Sequence, residues 1–370
     1  MCAFSPIWRR IQSTLFPRIE ETLGPLTDEQ KKLVAILEVV LVENFLPQPR
    51  WGANGRPPED RRFIARAFVA KAVLNLPHTR GLIERLRSDT NLRSICGWQR
   101  RQDVPSESSF SRAFAAFAHT GLLAEVHAHL IKSHLSDSFI GHIARDSTAI
   151  EGRERPKAKE PAPEPAPNES PRAKRGRPRK GETPMPKAPS RLETQAATMN
   201  LEAMLADLPT ACDRGCKKNS QGFVETWTGY KAHLDVSDGG HVISFLLTSA
   251  SVHDSQAAIP LALTSHRLVT NSFDLMDAAY DAPAIREVSR RFGHIPVIDH
   301  NPRRSRNKQR MDAETARLYN GRSVAERANS QLKDNFGGRT VRVRGAAKVS
   351  AHLWFGILAL TASQLLRLIC

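Results

Sequence analysis

The chain has 370 residues, 40% hydrophobic and 25% charged, enough to bury two ordinary cores. Its 54 Lys and Arg against 38 Asp and Glu leave a formal charge of +16, well beyond what solubility requires, so a polyanion such as nucleic acid is the expected partner. Five scattered cysteines, an N-terminus without the apolar run of a secretory signal, and charge unaccompanied by a basic amphipathic anchor argue against a disulfide framework, export and a membrane partner; a reducing cytosol fits best.

Residues 28 to 135 read as helices joined by short turns, within an N-terminal unit taken as 1–135. Ile64, Phe68 and Ala72 recur at helical spacing, and Leu82, Ile83 and Leu86 share another face. Asn75-Leu76-Pro77 separates the two, and Ser106 is an expected N-cap for a helix carrying Phe110, Phe114 and Phe117. Arg85, Arg87, Arg100, Arg101 and Arg112 are distributed over helices of helix-turn-helix size. Direct DNA reading and a packing or oligomerisation role account for this pattern equally well.

A strand from Phe139 to Arg145 follows, closed by Asp146, within a segment taken as 136–150. From Glu151 to about residue 195 the chain turns to Pro, Ala, Lys, Arg and Glu, a composition expected to stay disordered because it offers almost no large apolar side chain to bury. Arg175-Gly176-Arg177-Pro178 within it resembles the core of an AT-hook, which lays arginines into a narrow minor groove, although a solvated tether explains the charge as well. Beyond the insertion, Trp227 to Val236 and His241 to Thr248 flank Ser237-Asp238-Gly239-Gly240, a hairpin signal. Then come a helix near Ala257 to Leu263, a strand Phe273 to Met276, a helix Pro283 to Arg291 and a strand Ile295 to Ile298. This order predicts an α/β fold, a mixed sheet flanked by helices and preceded by an all-helical N-terminal domain. Leu353 to Ile369 is read as a buried terminal helix because Thr361, Ser363, Gln364 and Arg367 interrupt it.

The most informative pattern is Tyr319-x2-Arg322-x3-Glu326-x6-Lys333. At ~100° per residue these positions share one helical face, with Val324, Ala328 and Leu332 opposite. Such a face presents one carboxylate between two phosphate-seeking cations. Phosphodiester cleavage by divalent cations requires two or three converging carboxylates, and strand ends supply Asp146 and Asp277. Asp254, Asp274, Asp281 and Asp299 are nearby rivals, and Glu326 has the bland alternative of pairing with Arg322 one turn back. The basic run containing Arg303 and Arg304 precedes this segment and is expected on the DNA backbone. Cys212-x3-Cys216 lacks a second Cys/His pair at zinc spacing, and no nucleotide phosphate loop is present.

Arg145-Asp146-Ser147-Thr148, Met276-Asp277-Ala278-Ala279-Tyr280-Asp281 and Tyr319 through Lys333 together resemble the DDE transposases of bacterial insertion sequences, in the branch with the Y-x2-R-x3-E-x6-K signature. Gly229-Tyr230-Lys231-x-His233, Ser251 to Ser255 and Val297 to Arg303 are similar to blocks between those motifs, so the resemblance runs from about Phe63 to Leu360 without the proline-rich insertion. The resemblance implies an RNase H-like domain whose Asp146, Asp277 and Glu326 hold two Mg²⁺ ions, with Mn²⁺ as a substitute. It implies Arg322 and Lys333 on phosphates of the element ends and Tyr319 on the backbone or a nearby base. The partners would be double-stranded DNA, both terminal repeats and target, with protomers assembled on paired ends in the bacterial nucleoid. A nuclease of the same fold that cleaves without joining, and an inactive DNA-binding derivative, are the alternatives. The insertion after the first catalytic strand departs from the compact family pattern; Arg175 and Arg177 in it are expected to add a grip on DNA.

Overall fold

The computed structural model describes residues 4–48, 58–156, 189–218, 221–302 and 309–368; Arg175, Arg177, Arg303 and Arg304 lie outside them. Among the described residues, six strands form one mixed sheet: β1 (Ile140–Glu151), β2 (Asp213–Lys218), β3 (Val224–Ser237), β4 (Val242–Ser249), β5 (Asn271–Met276) and β6 (Ile295–Ile298). Antiparallel β3 lies on one side of β1 and parallel β5 on the other, with β6 parallel beyond β5. β4 pairs with the C-terminal half of β3 and β2 with its N-terminal half.

The strand expected to close at Asp146 continues to Glu151, because β3 is long enough to pair with it as far as Gly229. Gly229 makes that pairing feasible: a Cβ there would stand 2.2 Å from the Ile150 carbonyl oxygen. The insertion also gives way to structure earlier than its composition indicates, since Ser190 caps a helix, Arg191–Ala197, through a capping box with Glu193. β2 escaped sequence reading because Asp213-Arg-Gly-Cys-Lys-Lys has no apolar alternation; it is a mostly exposed strand whose partner defines it. The helix Pro283–Arg291 and strand β6 fall where expected.

Strand alternation splits the chemistry between the faces of the sheet. Asp146 lies opposite Leu234, and Leu234 opposite Phe245, so these three point to one face. There the helices Ser323–Asn335 and Ala346–Arg367 pack on the sheet. Arg145, Asp235 and Ser244 occupy the adjoining register positions and point to the other face, covered by the helix Asp254–His266. Arg145 donates from Nε to Asp235 Oδ1 at 2.7 Å and from Nη2 to Oδ2 at 2.8 Å. Ser265 also donates to Asp235 Oδ2, at 2.6 Å, and lies 2.7 Å from the Ser244 hydroxyl. Burial opposes the Arg145 charge, yet Asp235 more than offsets it, and the guanidinium pKa is raised.

The N-terminal helices bury the predicted residues: Ile64, Phe68, Leu82, Ile83, Leu86, Phe110, Phe114 and Phe117 are all in the core. Ser106 precedes the helix Glu107–His119 as expected, but its hydroxyl meets those of Ser108 and Ser109 instead of capping a backbone amide. The C-terminal helix, long and apolar enough to cross a membrane by composition, is 78% buried inside the protein over its most apolar window. Phe355 meets Phe68 at 5.4 Å and Trp354 meets Phe245 at 5.0 Å, so this one helix joins the N-terminal helices to the sheet in a continuous core.

Substituting Asp235→Ala leaves Arg145 charged and buried without a partner, and is expected to cost about 3–5 kcal/mol of stability, measured as a lowered urea midpoint.

Candidate active site

Asp146 sits within β1 and Asp277 directly after β5, and the pairing of Arg145 with Met276 brings the two carboxylates side by side on parallel strands. Alternation from Phe273 and Leu275 puts Asp277 on the same face as Asp146. The helix that carries Glu326 crosses this face. It is preceded by the helix Ala313–Tyr319 and one 3-10 turn, Asn320–Arg322, so Tyr319 ends one helix and does not lie on the next. Gly321 in that turn lies against the sheet, where a Cβ would come within 2.8 Å of the His142 ring. Val324, Ala328 and Leu332 are buried beneath the helix, as the apolar stripe predicts, Ala325 is buried with them, and Glu326 is outward.

Arg322 joins these groups. Its Nη2 donates to Glu326 Oε1 at 2.6 Å, and its Nη1 stands 3.7 Å from Asp146 Oδ1. The Tyr319 ring lies 5.8 Å from the guanidinium. Lys333 is on the same helix two turns further on, roughly 10 Å along the axis, near Lys217, Arg339 and Glu151 instead of the aspartates. The structure therefore brings together Asp146, Asp277, Glu326, Arg322 and Tyr319, and leaves Lys333 apart.

The rival carboxylates have partners of their own. Asp254 pairs with Lys231 at 2.9 Å, Asp281 pairs with Arg286 at 2.8 Å and accepts from the Asn301 amide at 3.0 Å, and buried Asp274 is bonded by Asn271, Ser289 and His294. Lys231 and Asp254 come from the two intermediate blocks singled out in the sequence, Ser147 also bonds Asp254, and the Asp254 charge adds to the raised Asp277 pKa. The block residue His233 is fully buried on the Thr248 hydroxyl at 2.9 Å, and burial lowers its pKa to about 4, so it is neutral.

Sequence reasoning missed Asn329. It lies one turn after Glu326, 6% exposed, and its Nδ2 donates to Asp146 Oδ2 at 3.0 Å. A polar residue inside the apolar stripe of the helix was the available signal. Asp277 Oδ1 is likewise engaged, by the Ala279 amide at 2.9 Å. Each aspartate thus has an oxygen held by a neutral donor, and Asp146 is also bonded by the Ser147 amide and paired with Arg322. Burial raises the Asp146 pKa to about 6, with the Asp277 and Glu326 charges adding to the rise and Arg322 opposing it; burial raises Asp277 as well.

Three carboxylates against one guanidinium leave an excess of negative charge on oxygen donors, the donor set that a hard divalent cation takes. Among the described residues no three His, Cys, Asp or Glu side chains stand close enough to enclose an ion, and Glu326 is turned onto Arg322. The buried Asn329 Oδ1, without a hydrogen-bond partner, is a further oxygen beside Asp146. The residues fit a divalent cation once Glu326 turns from Arg322 toward the aspartates.

Strand order β4-β3-β1-β5-β6 with helices on both faces, and acidic side chains at β1 and after β5, define an RNase H-like domain with an acidic centre. Residues 210–362 match the Transposase DDE domain family, and residues 22–116 match the Transposase domain (DUF772) family. Both transposase domains are thus present, as in the DDE transposases of insertion-sequence type, a family that generally uses divalent metal ions and acts on DNA. No curated protein and no solved structure matches it. Asp277 and Glu326 fall inside the DDE match; Asp146 lies between the two matches and is tied to the site by the sheet, by Asn329 and by Arg322.

The Asp146 shift has a consequence for stability. Below about pH 4 the carboxyl is protonated both folded and unfolded; between 3.8 and about 6 the folded form holds the proton more tightly; above 6 the folded protein carries a buried charge. Asp146→Asn removes that cost. Without divalent ions, it is expected to stabilise the protein by on the order of 1–3 kcal/mol at pH 7.5, with the gain shrinking toward pH 4, measured by denaturant unfolding across pH.

Proposed function

We propose that this protein binds the ends of an insertion element, cleaves DNA there and joins the freed 3′-hydroxyl to target DNA, with Asp146, Asp277 and Glu326 as the metal-holding triad. The observation that carries the reading is the side-by-side placement of Asp146 and Asp277, facing the helix that bears Glu326 and the turn before it that bears Arg322. Two Mg²⁺ ions, or Mn²⁺ in their place, would supply activation of the attacking oxygen and charge stabilisation of the leaving one.

The remaining work belongs to the side chains. Asn329 orients Asp146 through Oδ2 and the Ala279 amide orients Asp277 through Oδ1, which leaves Asp146 Oδ1, here facing Arg322, and Asp277 Oδ2 as the ligating oxygens. Arg322 is shared between Asp146 and Glu326; a phosphate of the DNA end is a competing partner of equal charge and better fork geometry, so substrate entry draws the guanidinium outward and releases Glu326. Tyr319 packs on that guanidinium and moves with it against the backbone or a base. Lys333, half-buried two turns along, contacts the phosphates further from the scissile bond. These four residues at their spacing support placement in the Y-R-E-K branch. The helical N-terminal unit is assigned to end binding or assembly of protomers on paired ends.

Incubation with Mg²⁺, an end-bearing duplex and a target plasmid is expected to yield joined product. Asp146→Asn, Asp277→Asn and Glu326→Gln should each lower it by on the order of 100-fold or more. Scission without joining would instead assign a nuclease, and joining by the triad variants at the normal rate would remove the three carboxylates from the chemistry.

A further inference from the structure

The helix Arg61–Val73 carries one side chain that its packing does not explain. Lys71 lies on the buried face with Phe68 and Ala72 and is 8% exposed. Among the described residues its ammonium has no hydrogen bond and no ion pair, and burial alone pushes its pKa down to about 8. A buried, unpaired ammonium is costly, and such groups concentrate where a ligand supplies the missing charge.

Lys71 faces a cavity of about 370 Å³, which adjoins a second of about 630 Å³ along a wall that includes Thr79, Arg342 and His352. Arg344 and Lys348 border the first cavity, Arg80 and Arg153 the second. With Lys71 and Arg342 these make six cations; Glu84 and Glu107 are the two acids, and Glu107 is already 3.5 Å from Arg80. His352 donates Nε2–H to the Gly337 carbonyl at 2.9 Å and is neutral, its pKa lowered to about 4 by burial and by the Lys71 charge. The first cavity also has an aromatic wall of Phe68, Phe114 and Phe355. A small inorganic anion needs the cations but not that wall, whereas a nucleotide uses both.

We propose that this cavity, between the N-terminal helices and the segment that follows the Glu326 helix, holds one nucleotide of a DNA strand, its phosphate on Lys71 and Arg342 and its base against the phenylalanine wall. The proposal rests on DNA being the substrate and is independent of whether the triad joins strands. Arg342 and Arg344 in the cavity wall follow Lys333 and Arg339 along the same stretch of chain.

Binding of thymidine 3′,5′-bisphosphate to the full chain, followed by titration calorimetry without divalent ions, tests it. One site is expected, with thymidine and inorganic phosphate each binding at least ten-fold more weakly. Lys71→Met should weaken the bisphosphate ten-fold or more while raising the melting temperature, and Arg342→Ala should weaken it similarly. Asp146→Asn should bind as the parent does, so a failure of strand joining leaves this result standing. Unchanged binding by a folded Lys71→Met protein overturns the proposal, as does inorganic phosphate binding as tightly as the bisphosphate, which would mark a simple anion site.

Discussion

The bidentate pair between Arg145 and Asp235 is the constraint on which the site depends. It locks β1 to β3 in one register from within the core, at the residue next to Asp146. Because successive strand residues point to opposite faces, holding Arg145 on the inner face commits Asp146 to the other, where Asn329 and Arg322 await it. A slip by one residue would bury Asp146 against the helix Asp254–His266 and send Arg145 into the acidic centre. Buried charge is a weak source of net stability but a strong selector of register, since every alternative leaves it unpaired.

The acidic centre is built at the expense of stability. Both aspartates are raised by burial, Asp146 further by the Asp277 and Glu326 charges and Asp277 by that of Asp254, with one guanidinium to offset three carboxylates. The surrounding acids are treated differently: Asp254 and Asp281 are paired with cations and Asp274 is bonded by Asn271, Ser289 and His294. The contrast separates a site from its scaffold, since charges with partners hold the strands and charges without enough partners are available to metal and DNA. The cavity at Lys71 is the same device with the opposite sign, a cation left unneutralised within a well-packed helix.

Much of the fold was legible because it follows from local rules. The 3.6-residue recurrence of Ile64, Phe68 and Ala72, the hairpin at Ser237 to Gly240 and the helix Pro283–Arg291 express periodicity and turn chemistry that neighbouring residues already contain. Strand extent was less legible: β1 runs past Asp146, and polar β2 exists at all, because β3 supplies partners distant in the chain. Asn329 and Lys71 were missed for a related reason. Each is a polar residue in an apolar stripe, and only the packed neighbours reveal whether it is satisfied, as Asn329 is in part by Asp146, or left open, as Lys71 is.

The sequence by itself determined the class of the protein and the helix face on which Glu326 and Lys333 lie, since a fixed spacing on a regular helix sets their relative angles without reference to anything else. The tertiary structure decided which carboxylates meet and which are spent on internal pairs. It also turned Glu326 onto Arg322 and set Lys333 apart from the aspartates. These are distances between residues far apart in the chain, and they depend on sheet register, helix crossing and burial, none of which a local pattern encodes.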